Sequence, residues 1–293
     1  MNKKHYITGL IYGGLAFILW GLLPIYWKLV KALNPYQVFT HRVFWSVIFL
    51  TLIMIYKGQI KEFLNLLKDK SNWLSTLGPA FFISINWLTY IWGVNNGYVI
   101  ETSLGYYMNP LVLTLLGAIF YRERLDKLQT VGIVLATIGV LIKILVYGEI
   151  PILALVLAIS FAIYGLLKKK SKFTSLTGLG FETVIVGIPA TLMIIFTETT
   201  GQGISGNLPI SFWLLISMSG VVTAVPLLLY GESTKRLPLK VVGFLQYIAP
   251  TIGLFLGIFV FKEAFSFEDL IPFIIIWIGL ACFVLSQVRM LKN

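Results

Sequence analysis

Two charges lie several residues inside long apolar runs: Arg42 within 37–56 and Glu182 within 177–197. A charge at the centre of a bilayer costs about 2.5–3.5 kcal/mol, so such residues face a cavity or a partner. His41 precedes Arg42 and titrates near neutrality, which suits a proton sensor. Glu101, on the following connection, is the carboxylate nearest in sequence that could partner Arg42, and the basic run at 168–172 offers cations to Glu182. His41, Arg42, Glu101 and Glu182 are therefore gate or coupling candidates, weighed against plain snorkelling and ion pairing.

A second set consists of amides and aromatics. Asn86 and Tyr90 are four residues apart and share one helical face. The segment Gly105-Tyr106-Tyr107-Met108-Asn109-Pro110 follows, and Pro110 frees the carbonyl of Tyr106 by removing a helical hydrogen bond. Pro250 repeats this after Gln246 and Tyr247. Together with Trp20, Tyr164 and Tyr230, these residues suit the lining of a midplane pocket. Its aromatic walls and few hydrogen-bonding tips fit a small amphipathic organic molecule. For any one aromatic ring, packing is the competing role; equivalent placement in both halves of the chain favours a site.

The elements that must position these groups are membrane spans. Of the 293 residues, 58% are hydrophobic and 12% charged, with 21 Phe, 14 Tyr, 8 Trp and a mean hydropathy of +0.88. An ordinary soluble domain is about 25% charged. A span needs about 20 apolar residues, and apolar windows fall near 7–27, 37–56, 73–95, 103–121, 129–147, 150–167, 177–197, 210–231, 241–261 and 270–288. Ten spans are expected. Of the 23 Lys and Arg, only five (Lys28, Lys31, Arg42, Lys143 and Lys262) fall on one side of that arrangement. The basic excess on the other side is expected to put both termini in the cytoplasm. The same rule accounts for the net charge of +11, so no nucleic-acid partner is expected. The first window lacks a small-residue cleavage site and is expected to be retained as a span.

Other chemistries find little support. Cys282 is the single cysteine, the two histidines are His5 and His41, and neither His-Glu-x-x-His nor a phosphate-binding Gly-x-x-x-x-Gly-Lys-Ser/Thr loop occurs. The Gly-x-Gly-x-x-Gly spacing at 201–206 lies in a connection with no strand before it, so it does not read as a cofactor site. Neither a metal nor a cofactor is expected, and enzymatic activity is not. The pairs Gly9/Gly13 and Gly253/Gly257 are expected to pack helices within the chain.

The chain also repeats itself. At an offset of 140, Tyr107 meets Tyr247, Pro110 meets Pro250, Glu123 meets Glu263, Gly139 meets Gly279 and Arg42 meets Glu182. This divides the chain into halves at 1–148 and 149–293. Five spans is an odd number, so the second half must insert upside down relative to the first. The expected fold class is thus an all-α integral membrane protein, with ten transmembrane helices as two inverted five-helix repeats forming one unit. Arg42 and Glu182 would then lie near opposite faces and not pair with each other.

The segments Thr40-His-Arg-Val-Phe-Trp-Ser46, Asn86-Trp-Leu-Thr-Tyr-Ile-Trp-Gly-Val-Asn-Asn96, Ser103-Leu-Gly-Tyr-Tyr-Met-Asn-Pro110, Glu123-Arg-Leu125 and Gly243-Phe-Leu-Gln-Tyr-Ile-Ala-Pro250 resemble the EamA-type proteins of the drug/metabolite transporter superfamily. The resemblance runs over nearly the whole chain. It implies an inner-membrane permease whose cavity is formed by spans one, three and four and their counterparts six, eight and nine, with spans five and ten peripheral. The second half departs by carrying Ala249 where the first has Asn109. The expected function is secondary transport of a small organic metabolite or drug by alternating access, with a proton or an exchanged metabolite as a possible coupling partner. A non-transporting scaffold or sensor fits the hydropathy equally well but leaves the duplicated polar positions unexplained.

Overall fold

A computed structural model describes residues 3–30, 32–96, 98–148, 150–205, 207–262 and 267–292. Glu263, the repeat counterpart of Glu123, and Gly206 of the glycine spacing lie outside them. The described residues form helices α1 (Lys3–Leu29), α2 (Pro35–Tyr56), α3 (Ile60–Lys68), α4 (Lys70–Asn95), α5 (Val99–Tyr121), α6 (Lys127–Tyr147), α7 (Ile152–Lys170), α8 (Ser175–Thr199), α9 (Ile210–Arg236), α10 (Leu239–Leu245), α11 (Ile248–Phe255) and α12 (Phe267–Lys292). A π-helical turn, Leu256–Val260, continues α11.

Among the described residues, nine helical stretches are long and apolar enough to cross a membrane. They coincide with the expected windows except at 73–95. There α4 is 26 residues long and carries Asn72, Ser75, Thr76, Ser84 and Asn86 among its apolar residues. Two further departures are informative. The short helix α3 is amphipathic, with Phe63 buried against Phe181 of α8 and Lys61, Glu62 and Lys68 facing outward, a pattern suited to lying along the membrane surface. The window at 241–261 is not one helix but α10 and α11, separated at Gln246-Tyr247. Pro250, four residues after Gln246, cannot donate to that carbonyl.

The ends of the chain are tied on one face. The Tyr6 hydroxyl at the start of α1 donates to Gln287 near the end of α12. This face, the near face below, also carries the Glu123 carboxylate, which accepts from the backbone N–H of Leu239 (2.8 Å) and Lys240 (2.9 Å) at the start of α10. A carboxylate satisfies the unpaired donors of a helix N-terminus and complements its dipole.

Packing pairs come in sets that exchange the two halves. α1 packs on α9 as α4 packs on α7, α2 on α9 as α4 on α8, and α5 on α7 as α1 on α11. The pairs α2 with α8, α5 with α10 and α6 with α12 each exchange into themselves. The α6–α12 seam has this property at residue level. A Cβ on Gly132 would lie 2.7 Å from the carbonyl oxygen of Gly279, and one on Gly139 would lie 2.8 Å from that of Pro272. Only glycine permits such backbone approach. Tyr107 and Tyr247 show the same reciprocity: Tyr247 Oη donates to the Tyr107 carbonyl, and Tyr107 Oη to that of Pro250, both at 3.3 Å. Gly9 and Gly13 pack within the chain, against Leu237 and against Ser233 and Leu245, whereas Gly253 faces open space.

The near face also offers a stability test. Asp126 caps α6 by accepting from the Gln129 N–H (2.9 Å), and Gln129 Oε1 accepts in return from the Asp126 N–H (3.2 Å). Its other oxygen accepts from the Ser286 hydroxyl of α12. Burial at the helix end opposes ionisation of Asp126, but Ser286, the Gln129 and Leu128 amides and Lys240 outweigh it and hold the carboxyl below the usual range. A carboxyl depressed in the folded state contributes stability above its unfolded value, near 3.9, and that contribution fades as pH falls through the native value. Asp126→Ala should lower the unfolding midpoint at pH 7 by an amount equivalent to about 1 kcal/mol. The difference from wild type should shrink as the pH of a detergent melting series falls below about 4.

Candidate functional site

Polar groups gather between the halves in two layers. The near-face layer is sealed. The rings of Tyr164 and Tyr230 stack at 6.1 Å and 10°, with Phe17, Trp20 and Phe161 packed around Tyr230 at 6.0, 5.6 and 5.2 Å. Tyr164 Oη donates to Glu182 Oε2 at 3.1 Å, and Lys168 Nζ donates to Glu182 Oε1 at 2.9 Å. Lys168 is 1% exposed and Glu182 3%, so both charges are buried and paired with each other, with the tyrosine hydroxyl on the carboxylate and the Lys235 charge within electrostatic reach of both. Helix periodicity explains the set: Tyr164 and Lys168 are four apart on α7 and face Glu182 on α8.

The far-face layer is less buried, with Arg42, Trp87 and Tyr90 half-buried. The Arg42 guanidinium carbon lies 4.3 Å from the Trp87 ring centroid and 5.5 Å from that of Trp27. Tyr90 and Tyr106 lie within electrostatic range of it. Those two rings meet edge-on at 5.8 Å, and Tyr106 is 41% exposed. His41 is buried beside Arg42 with its ring edge-on to Trp213 at 5.8 Å, and its Nδ1 has no partner among the described residues. Between the layers lies a cavity of about 10 Å³, room for a single water, lined by Val43, Trp87, Tyr164, Glu182, Thr183 and Leu227 among others. Trp87 touches both the cavity and the guanidinium, so it links the layers.

The sequence-predicted residues fall into two classes. Asn86 Nδ2 donates to the Leu157 carbonyl (2.9 Å) and Ser160 Oγ (3.1 Å), and Asn109 Nδ2 to the Ala158 carbonyl (2.8 Å). Both amides thus fasten α7. Asn109 Oδ1, Tyr230 Oη and Gln246 Nε2 are buried with no partner among the described residues. Tyr247 and Tyr107 tie the halves as described above, and Trp20 packs in the near-face seal.

The predicted cation partner of Glu182 is Lys168, from the expected run. The predicted partner of Arg42 is corrected. Glu101 Oε1 instead accepts from the Leu153 N–H at 2.7 Å, capping α7, and no ion pair joins Glu101 to Arg42 among the described residues. The N-terminus of α7 takes the carboxylate for the same reason that α10 takes Glu123. Trp27 was missed because a tryptophan at a span end reads as an interface anchor.

Two segments of the chain, 7–145 and 150–285, match the model of the EamA-like transporter family. The chain belongs to this family. It is 44% identical over 295 residues to the uncharacterized transporter YojE of Bacillus subtilis, covering 99% of this chain and 97% of the relative. It is 35% identical to protein RarD of Escherichia coli over 98% and 97% of the two chains. The chloramphenicol-sensitive protein RarD of Pseudomonas aeruginosa is 28% identical over 95% and 94%. A solved crystal structure with 18% identity superposes with a TM-score of 0.75 over 96% of this chain and 98% of the other, which shows the shared fold. The chain is a multi-pass membrane protein of a transporter family, and its described residues are helical with no strand among them.

Proposed function

We propose that the protein is a secondary transporter that moves a small organic metabolite or drug across the cytoplasmic membrane by alternating access. The observation that carries this reading is the asymmetry of the site. Aromatic and polar layers between the halves are fully buried at Tyr164, Tyr230, Lys168 and Glu182 but only half-buried at Arg42 and Tyr90 and exposed at Tyr106, an inequality of the kind expected at one end of a transport cycle. Asn109 Oδ1, Tyr230 Oη and Gln246 Nε2 are buried with no hydrogen-bond partner among the described residues, and such groups are costly when left unsatisfied. Substrate contact is assigned to these and to Tyr90 and Tyr106; Arg42 and Glu182 mark the two gates.

In this reading α4 is the tenth span, and residues 1–148 and 149–293 are inverted repeats. The exchange-related packing and the paired family matches support that assignment. The near face, where Lys and Arg are concentrated, is cytoplasmic. A proton or a counter-transported metabolite supplies the driving force.

The test is thermal unfolding in detergent against amino acids, aromatic metabolites and amphenicols, followed by flux of any stabilising compound in proteoliposomes. A ligand bound only by the folded state raises the midpoint by mass action. Asn109→Ala and Gln246→Leu should abolish the shift and the flux. Wild-type flux in both variants at normal expression would refute the pocket assignment.

A further inference from the structure

Among the described residues Arg42 is flanked by rings and not by carboxylates. Trp27 and Trp87 lie against its guanidinium, Tyr90 and Tyr106 lie within electrostatic range, and Glu101 accepts from the Leu153 N–H of α7 and forms no ion pair with Arg42. The Arg42 Nε is buried with no hydrogen-bond partner. A guanidinium carries its donors in the plane of the group while its faces stack on aromatic rings. Stacking therefore leaves the fork edge available, and a half-buried cation at membrane depth without an ion-pair partner among the described residues is stabilised when an anion arrives.

We infer that Arg42 is the anion site of the pocket, and that the substrates are small organic molecules carrying a carboxylate next to a flat apolar body. The inference rests on the transporter reading and names its substrate class. A carboxylate matches the fork with two parallel hydrogen bonds. A single guanidinium neutralises one negative charge, which favours a monoanion over a phosphate dianion. The edge-on pair Tyr90 and Tyr106, the latter exposed, offers ring surface to the apolar body. Arg42 thereby becomes a substrate-contacting residue as well as a gate. Occupation by the carboxylate would bring the counter-charge that the resting protein lacks.

The experiment uses matched pairs differing only in the acid: benzoate against benzamide, and L-phenylalanine against L-phenylalaninamide. Binding is read from the tryptophan fluorescence of detergent-solubilised full-length protein, because Trp27 and Trp87 border the guanidinium, and flux is read in proteoliposomes. Wild type should bind the carboxylate of at least one pair about 30-fold or more tightly than its amide, the scale expected for a desolvated charge pair. Arg42→Gln should erase that preference, and Arg42→Lys, which keeps the charge but not the fork, should retain part of it. Equal binding of acid and amide by wild type, binding of neither member of either pair, or an undiminished preference in Arg42→Gln would each overturn the inference. Flux of the amides without carboxylate preference would do so while leaving the transporter reading intact. Carboxylate preference lost in Arg42→Gln, with no flux of any compound, would uphold the anion site and overturn the transporter reading.

Discussion

Lys168→Met should destabilise the folded protein by about 3–5 kcal/mol, because it leaves a buried carboxylate without its counter-charge. Glu182 would keep the 3.1 Å hydrogen bond from Tyr164 and the more remote charge of Lys235. Glu182→Gln strands the lysine in the same way, at 1% exposure, and should lower the detergent unfolding midpoint comparably. The double variant Lys168→Met with Glu182→Leu should recover most of the loss, since replacing a whole buried ion pair by apolar groups is often neutral. If the pair must open during transport, the double variant would fold yet fail to complete the cycle. Melting curves for all four proteins decide the first point: single variants as stable as wild type would show that the two charges are not the compensated pair the geometry describes. Flux in proteoliposomes decides the second.

Gly220→Ala should be as damaging through sterics alone. The added Cβ would sit 2.3 Å from the carbonyl carbon of Trp45, 2.4 Å from its oxygen and 2.7 Å from the Ser46 nitrogen. These are backbone atoms of α2, and none can rotate aside. The two helices would have to separate, and the 3.3 Å hydrogen bond from Ser46 Oγ to the Gly220 carbonyl would break. Overpacking of this kind costs about 1–3 kcal/mol when neighbours can adjust; here the upper end or a failure to accumulate in the membrane is expected. Gly14→Ala is the control, because nothing lies within 4 Å of its added Cβ. It should be neutral or slightly stabilising, as Ala exceeds Gly in a helix by about 0.5–1 kcal/mol. Fluorescence size-exclusion profiles of the two variants separate these outcomes, and a Gly220→Ala profile matching wild type would refute the close approach of α2 and α9.

The spans were legible because hydropathy reports burial in lipid directly, and the windows near 7–27 and 37–56 correspond to α1 and α2. Helix α3 escaped because nine amphipathic residues are too short to register as a window. The break at Gln246-Tyr247 was signalled only indirectly, by Pro250. Among site residues, Lys168 could be anticipated as part of a basic run beside a carboxylate that needed one. The Glu101 partnership with α7 could not, because the need of a helix N-terminus for a carboxylate depends on how the chain folds back at Leu153. The rings around Arg42 were equally hidden, since Trp27 and Trp87 come from different helices and meet only in the packed structure. The amides of Asn86 and Asn109 were visible as unusual, but that both would fasten the same helix was not.

The link between Tyr6 and Gln287 bears on the order in which the halves are encoded. It brings the start of α1 beside the end of α12 and so closes the chain almost into a ring. Neighbouring ends are what make circular permutation tolerable. A permuted chain opened between Gly148 and Ile152, with a short linker joining the ends of α12 and α1, would keep every helix contact described here. It would also carry its new ends to the opposite face of the membrane. A melting profile of that permuted chain matching wild type would show that the helix contacts, and not the order of the halves, set the architecture.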